Sequence, residues 1–237
     1  MSSKPRRHAA VALLLLAGCG ARGPAQETAG VFPAASRPVS AIVSPRWSTE
    51  PDRDQAGEAE IVMAAAGIRP GMSVADIGAG EGYYTIRLAR RVGPQGRVLA
   101  EDIGREAVAG LATRIAHESI GNVAVVQGTP ADPKLPAAGF DRILLVHMYH
   151  EIESPYEFLW RMRPALKPGG RVGIVDADRP TGRHGTPPAL LDCELRAVGY
   201  ARVSHRVLPA AGGYLSMYEA IGPRPAPDAI RPCVQPG

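Results

Sequence analysis

The chain has 237 residues, enough for one well-buried domain of about 150–200 residues plus extensions. Its hydrophobic fraction of 45% and charged fraction of 21% are ordinary for a globular protein. Three units of the formal +4 charge come from Lys4, Arg6 and Arg7 in residues 1–18, which hold no acid, leaving +1 on the remainder. A nearly neutral body with 5% aromatic residues, no basic run and no interleaved aromatic stripe argues against a nucleic-acid partner.

Residues 1–18 place a basic start before an apolar run, Ala9 to Leu16, too short to span a bilayer and of the length of a signal-peptide core. The run ends in Leu16-Ala17-Gly18-Cys19, which resembles the lipobox of bacterial lipoproteins. The resemblance implies that 1–18 is removed and that Cys19 becomes the acylated first residue, a membrane anchor facing the periplasm. Gly20 at the next position implies passage to the outer membrane. An unused signal would leave the chain in the cytoplasm. A misplaced start codon is the competing reading, but the next methionine, Met63, lies inside the body. Residues 19–45, rich in Ala, Gly, Pro and Ser without a sustained period, predict a flexible tether.

From residue 46 to 222 helix and strand patterns alternate. Residues 55–68 predict one helix stopped by Gly67, with Ala59, Val62, Met63 and Ala66 on its inner face. A buried strand follows at 73–78, then a helix at 82–93, a strand at 96–103, and a helix at 106–119 facing inward with Val108, Leu111 and Ile115. Strands are predicted at 122–128 and 140–148, a helix at 154–170, a strand at 171–177, and a helix at 187–199. Two last strands, 200–208 and 213–222, are joined closely enough to form a hairpin, which makes the final one antiparallel. Continuous apolar strands alternating with helices predict an α/β three-layer sandwich, Rossmann-like, with a seven-stranded, mostly parallel sheet. Residues 223–237 form a Pro-rich tail. Cys193 and Cys233 either pair or, as the helical pattern around Cys193 favours, Cys193 is a small buried residue.

The informative motif is Asp76-Ile77-Gly78-Ala79-Gly80-Glu81-Gly82, at a strand-to-helix turn where the backbone must approach a ligand closely. Its G-x-G-x-G spacing, with Tyr83 at the third glycine position of the dinucleotide pattern, argues against a pyrophosphate site. The motif, with "KPGGRVGIVD" at 167–176, resembles the class I S-adenosylmethionine-dependent methyltransferases over about residues 53–221. The resemblance implies S-adenosylmethionine as cofactor. Gly78, Gly80 and Gly82 would pass beneath its methionine part, Asp76 would lie near its ammonium group, and Asp102, with Glu101 as the alternative, would take its ribose hydroxyls. The adenine loop departs from the family's Gly-Asp-Ala and reads Gly128-Thr129-Pro130-Ala131-Asp132, leaving Thr129 or Asp132 for the polar contact.

Methyl transfer needs alignment, and a base only where the acceptor loses a proton. The fourth strand ends in Val146-His147-Met148-Tyr149-His150-Glu151, where a base with an orienting acid is expected. His150 aligns with a histidine of many small-molecule methyltransferases of the family and is the first candidate, His147 the second. Asp176, Asp178 and His184 are weaker candidates on the substrate side, as are Trp47 and Arg53 for a lid. The H-x-x-H spacing lacks helical four-residue separation and a third ligand, so no metal is expected. The function read from the sequence is methyl transfer to a small molecule. The alternatives are a lipid-anchored binder on the same fold and a nicotinamide-dependent oxidoreductase.

Overall fold

The computed structural model describes residues 31–42 and 49–234. The signal segment 1–18, Cys19, the tether as far as residue 30, Trp47 and the last three residues of the tail lie outside the described residues.

Seven strands form one sheet: β1 (Ser73–Ile77), β2 (Arg97–Asp102), β3 (Val123–Gln127), β4 (Phe140–Val146), β5 (Leu166–Asp176), β6 (Tyr200–Leu208) and β7 (Gly213–Ala220), in the order β3-β2-β1-β4-β5-β7-β6. The ladders β1·β2, β1·β4, β2·β3 and β4·β5 are parallel, and β7 runs antiparallel to both neighbours, β5 and β6. This is the expected sandwich with its antiparallel closing strand. Alternation along each strand supplies two cores. Ala75, Ile77, Ile143, Leu145, Val172 and Ile174 face α5 (Pro155–Met162) and α6 (Pro188–Ala197). Val74, Val98, Leu144, Val175 and Met217 face α2 (Glu58–Ala65) and α3 (Tyr83–Val92). The helix α4 (Arg105–His117) adds Leu111 and Ile115 against Ala100.

The helix expected over 55–68 is α2, which starts only at Glu58, and a short helix that was not expected precedes it. Thr49 and Asp52 form a capping box that starts α1 (Glu50–Gln55), and Gly57, at φ 68°, breaks the chain before α2. The helix expected over 154–170 ends at Met162, because Pro164 cannot continue it, and β5 begins early at Leu166.

Two segments read as loose are docked. Residues 31–42, expected to belong to the flexible tether, lie against the α5/α6 face as a strap. Phe32 packs edge-on to Trp160, and Arg37 reaches the core, where its Nε donates to Glu194 Oε1 at 2.9 Å. Of the Pro-rich tail, Trp160 Nε1 donates to Pro225 O at 2.8 Å, and Cys233 is bonded to Cys193 with a Cα–Cα distance of 6.0 Å. The favoured reading of Cys193 as a buried residue is thereby corrected: it lies exposed on α6, and its partner Cys233 is the buried one. Strap and tail meet in a bridge between Ser36 and Val234. No helix of the described residues is long and apolar enough to cross a membrane.

Candidate functional site

Strand order reverses between β1 and β4, so the crevice beyond their carboxyl ends is where an open α/β sheet holds ligands. On the β1 side the chain turns through Gly78, Gly80 and Gly82 with φ of 68°, 53° and 89°. A Cβ at Gly82 would also run into Leu111 of α4, so helix and loop close tightly only with glycine there. Asp76 lies buried beneath the loop and accepts from Thr85 Oγ1 at 2.6 Å. Burial pushes its carboxyl up to about 6, and an ammonium group placed beside it would draw it back toward the carboxylate.

Asp102, half-buried at the end of β2, is held by two backbone donors: Gly80 N at 2.9 Å to Oδ2 and Gly104 N at 2.8 Å to Oδ1. Both oxygens keep a second acceptor direction, the chemistry two vicinal hydroxyls require. Glu101 is different. It is 1% exposed, its Oε1 has no hydrogen-bond partner, and a Cβ on Gly128 would occupy the same space. Burial first, then the neighbouring Asp102 charge, pushes its carboxyl up to about 8. Of the two acids, Asp102 is the one whose oxygens remain open to a further donor, while Glu101 is buried. Thr129 donates its hydroxyl to Asp132 O at 3.2 Å and accepts from Asp132 N at 3.0 Å, so the side chain shapes its own turn.

Glu101 carries a pH prediction. Its native pKa lies above its unfolded value, so between about pH 4.5 and 8 the folded chain keeps a proton that the unfolded chain releases, and stability falls as pH rises through that window. Glu101→Gln removes the penalty. Its urea midpoint, relative to the parent, is expected to rise steadily from pH 5 to pH 8.5; a flat difference across that range defeats the assignment.

Opposite the glycine loop, His150 sits on a single 3₁₀ turn, Tyr149–Glu151, beyond β4. It is 2% exposed, and its Nδ1 lies 3.0 Å from both oxygens of Asp176, at the end of β5. Asp176, fully buried, also accepts from Ala177 N at 2.8 Å and Thr186 Oγ1 at 2.7 Å. A carboxylate so held fixes the ring and its tautomer: Nδ1 carries the proton and Nε2 is the basic atom. His147 stands at φ 54°, a conformation uncommon outside glycine, with its amide donating to Val175 O at 2.9 Å. Burial, only partly offset by Asp176, holds its imidazole below the ordinary value. His184, also at positive φ, brings its ring within 5.5 Å of His150, the planes at 88°.

The strap roofs this side of the crevice. Ser40 N donates to His150 O at 3.2 Å, the Ser40 hydroxyl donates to Thr181 O and accepts from His184 N, and Thr181 Oγ1 donates to Pro38 O at 2.7 Å. On the cofactor side, α1 is pinned by charge: Glu50 bonds Arg114 at 2.6 Å, Asp54 bonds Arg87, and Arg53 pairs with Glu58 and lies 3.6 Å over the Tyr83 ring. Arg37, Ser40, Thr181, Thr186 and Glu194 went unread in the sequence, because a lone polar residue in an aperiodic stretch carries no local signal.

The family described as "methyltransferase domain" matches residues 74–170. The ubiquinone/menaquinone biosynthesis C-methyltransferase UbiE of Marinomonas sp. (strain MWYL1) is 30% identical over 151 residues, 63% of this chain and 56% of that one. Nocamycin O-methyltransferase of Saccharothrix syringae is 32% identical over 143 residues, 60% and 49%. The chain therefore spans about half the length of the curated relatives it matches. Among solved structures, a SAM-dependent methyltransferase from Aquifex aeolicus superposes with a TM-score of 0.62 at 22% identity, covering 73% of this chain and 98% of that one. The [4+2]-cyclase SpnF superposes with a TM-score of 0.59 at 16% identity, covering 70% and 81%. These two show the methyltransferase fold, and the second shows that the fold also carries other chemistry.

Proposed function

We propose that the protein transfers the methyl group of S-adenosylmethionine to a small molecule whose reacting atom loses a proton. The observation that carries this reading is Asp102, held by Gly80 N and Gly104 N at the edge of a glycine cradle with both oxygens still able to accept. Bound S-adenosylmethionine supplies an electrophilic methyl group on a sulfonium. Asp102 would hold the ribose, Asp76 would face the ammonium group, and Gly78, Gly80 and Gly82 would let the backbone approach. On the acceptor side, the Asp176-oriented His150 offers Nε2 at the point where the acceptor's proton must leave, and His147, kept neutral by burial, borders it. The roof over that point supports a small acceptor rather than a macromolecule. A nicotinamide cofactor is disfavoured by the third-glycine spacing and by the antiparallel edge at β7.

The proposed place of action is the cell envelope, with acylated Cys19 anchoring the domain to a membrane. Supporting this are the signal pattern of 1–19 and the disulfide, a bond that persists in oxidising compartments.

Calorimetric titration of the full chain in detergent tests the cofactor reading. S-adenosylhomocysteine is expected to bind with 1:1 stoichiometry and NAD not at all. Asp102→Ala is expected to weaken S-adenosylhomocysteine about 100-fold, the loss of charge-assisted hydrogen bonds of roughly 1.5–3 kcal/mol each. No binding by the parent chain, or binding that Asp102→Ala leaves unchanged, sinks the proposal.

A further inference from the structure

The acceptor side holds more than a base. Nitrogen or oxygen atoms of His150, Glu151 and His184 all lie within 4.8 Å of one another, with His150 Nε2 4.0 Å from Glu151 Oε1. We propose that these three side chains bind one divalent transition-metal cation, of the Zn2+ or Fe2+ class.

Four features of the geometry point there. Two imidazoles and a carboxylate are the donor set of catalytic zinc and of non-haem iron sites that keep open positions. The Asp176 carboxylate on His150 Nδ1 is the outer partner that metal-bound histidines have, and it leaves Nε2 as the donor atom. Neither His150 nor Asp176 is reached by solvent to any extent, at 2% and 0% exposure, so the ring is preset rather than gathered by the ion. His184 is carried on backbone at φ 55° and has its amide tied to the strap through Ser40 Oγ at 3.2 Å, which holds the loop beside His150.

The required adjustment is small. Ligands about 2.1 Å from a common ion are separated by roughly 3.0–3.5 Å, so the set must contract by up to about 1.5 Å, within reach of side-chain rotation at the half-buried Glu151 and His184. While the ion is bound, His150 Nε2 holds it and does not serve as the base of the metal-free site; an acceptor oxygen would coordinate at the open positions, which face the crevice, and release its proton to water with no change of oxidation state. That catalytic use rests on the methyltransferase reading; the binding of the ion does not.

Sequence spacing hid the set. Glu151 is adjacent to His150, and His184 lies beyond β5, so neither helical nor hairpin spacing announces them; the ends of β4 and β5 bring them together because the two strands are neighbours.

The test uses the full chain in detergent, stripped with EDTA and dialysed. Zn2+ titrated calorimetrically is expected to bind with 1:1 stoichiometry, and Co2+ to give a saturable visible spectrum. His184→Ala and Glu151→Gln should each weaken Zn2+ at least 100-fold, and Asp176→Asn about 10- to 100-fold through the ring it orients. Retained S-adenosylhomocysteine binding by the variants shows that they fold. Absence of 1:1 Zn2+ binding by the parent, or equal affinity in His184→Ala, overturns the metal site. Either result leaves the cofactor reading to be judged by S-adenosylhomocysteine alone.

Discussion

Arg37→Ala is expected to destabilise the protein by about 3–5 kcal/mol, the usual cost of leaving one member of a buried ion pair without its counter-charge. Arg37 and Glu194 have no side-chain exposure, and their 2.9 Å bond is supplemented by Tyr149 OH, which donates to Glu194 Oε2 at 2.7 Å. The Arg37 guanidinium also donates to Ile152 O at 3.3 Å, so its removal orphans a carbonyl as well as a carboxylate. Glu194→Gln added to Arg37→Ala removes the stranded charge and keeps an acceptor for Tyr149, and it should recover about half the loss. Urea unfolding of parent, single and double variants measures this. A loss below 1 kcal/mol for Arg37→Ala would show that the strap does not hold its place in the fold.

The second large effect belongs to the disulfide. Cys193 and Cys233 are 40 residues apart, and closing a loop of that length in the unfolded chain corresponds to about 4 kcal/mol on the chain-entropy view. At roughly 2–4 °C per kcal/mol for a domain of this size, reduction or Cys193→Ser with Cys233→Ser should lower the melting temperature by about 8–16 °C. The tail should loosen first, because Cys233 N donates to Tyr156 OH at 2.6 Å and Trp160 holds Pro225, contacts that local opening alone can break. A melting temperature indifferent to reductant would contradict the pairing.

Both predictions concern segments that look unstructured when read along the chain. The strap at 31–42 has no period, and its one decisive residue, Arg37, gains meaning only because Glu194, carried in by α6, is buried opposite it. Cys193 sits in a helical pattern that suggests burial, yet its side of α6 faces outward and meets the returning tail. His184 and Asp176 are likewise far from His150 in the chain and beside it in space.

The glycine loop, Asp76, Asp102 and the β/α alternation were legible because each depends on neighbours in sequence: strand burial shows as an apolar run, a left-handed turn demands glycine, and an acid at a strand end faces the crevice by topology. By itself the sequence determined the sheet with its antiparallel closing strand, the glycine turn after β1, and the placing of two histidines at the end of β4. Only the tertiary structure decided that Glu101 is buried beside Asp102 with its Oε1 unpartnered, that His150 takes its orientation from Asp176, and that strap and tail are part of the fold. Those facts are contacts between distant residues, and the burial, charge pairing and register that create them exist only once the chain has closed.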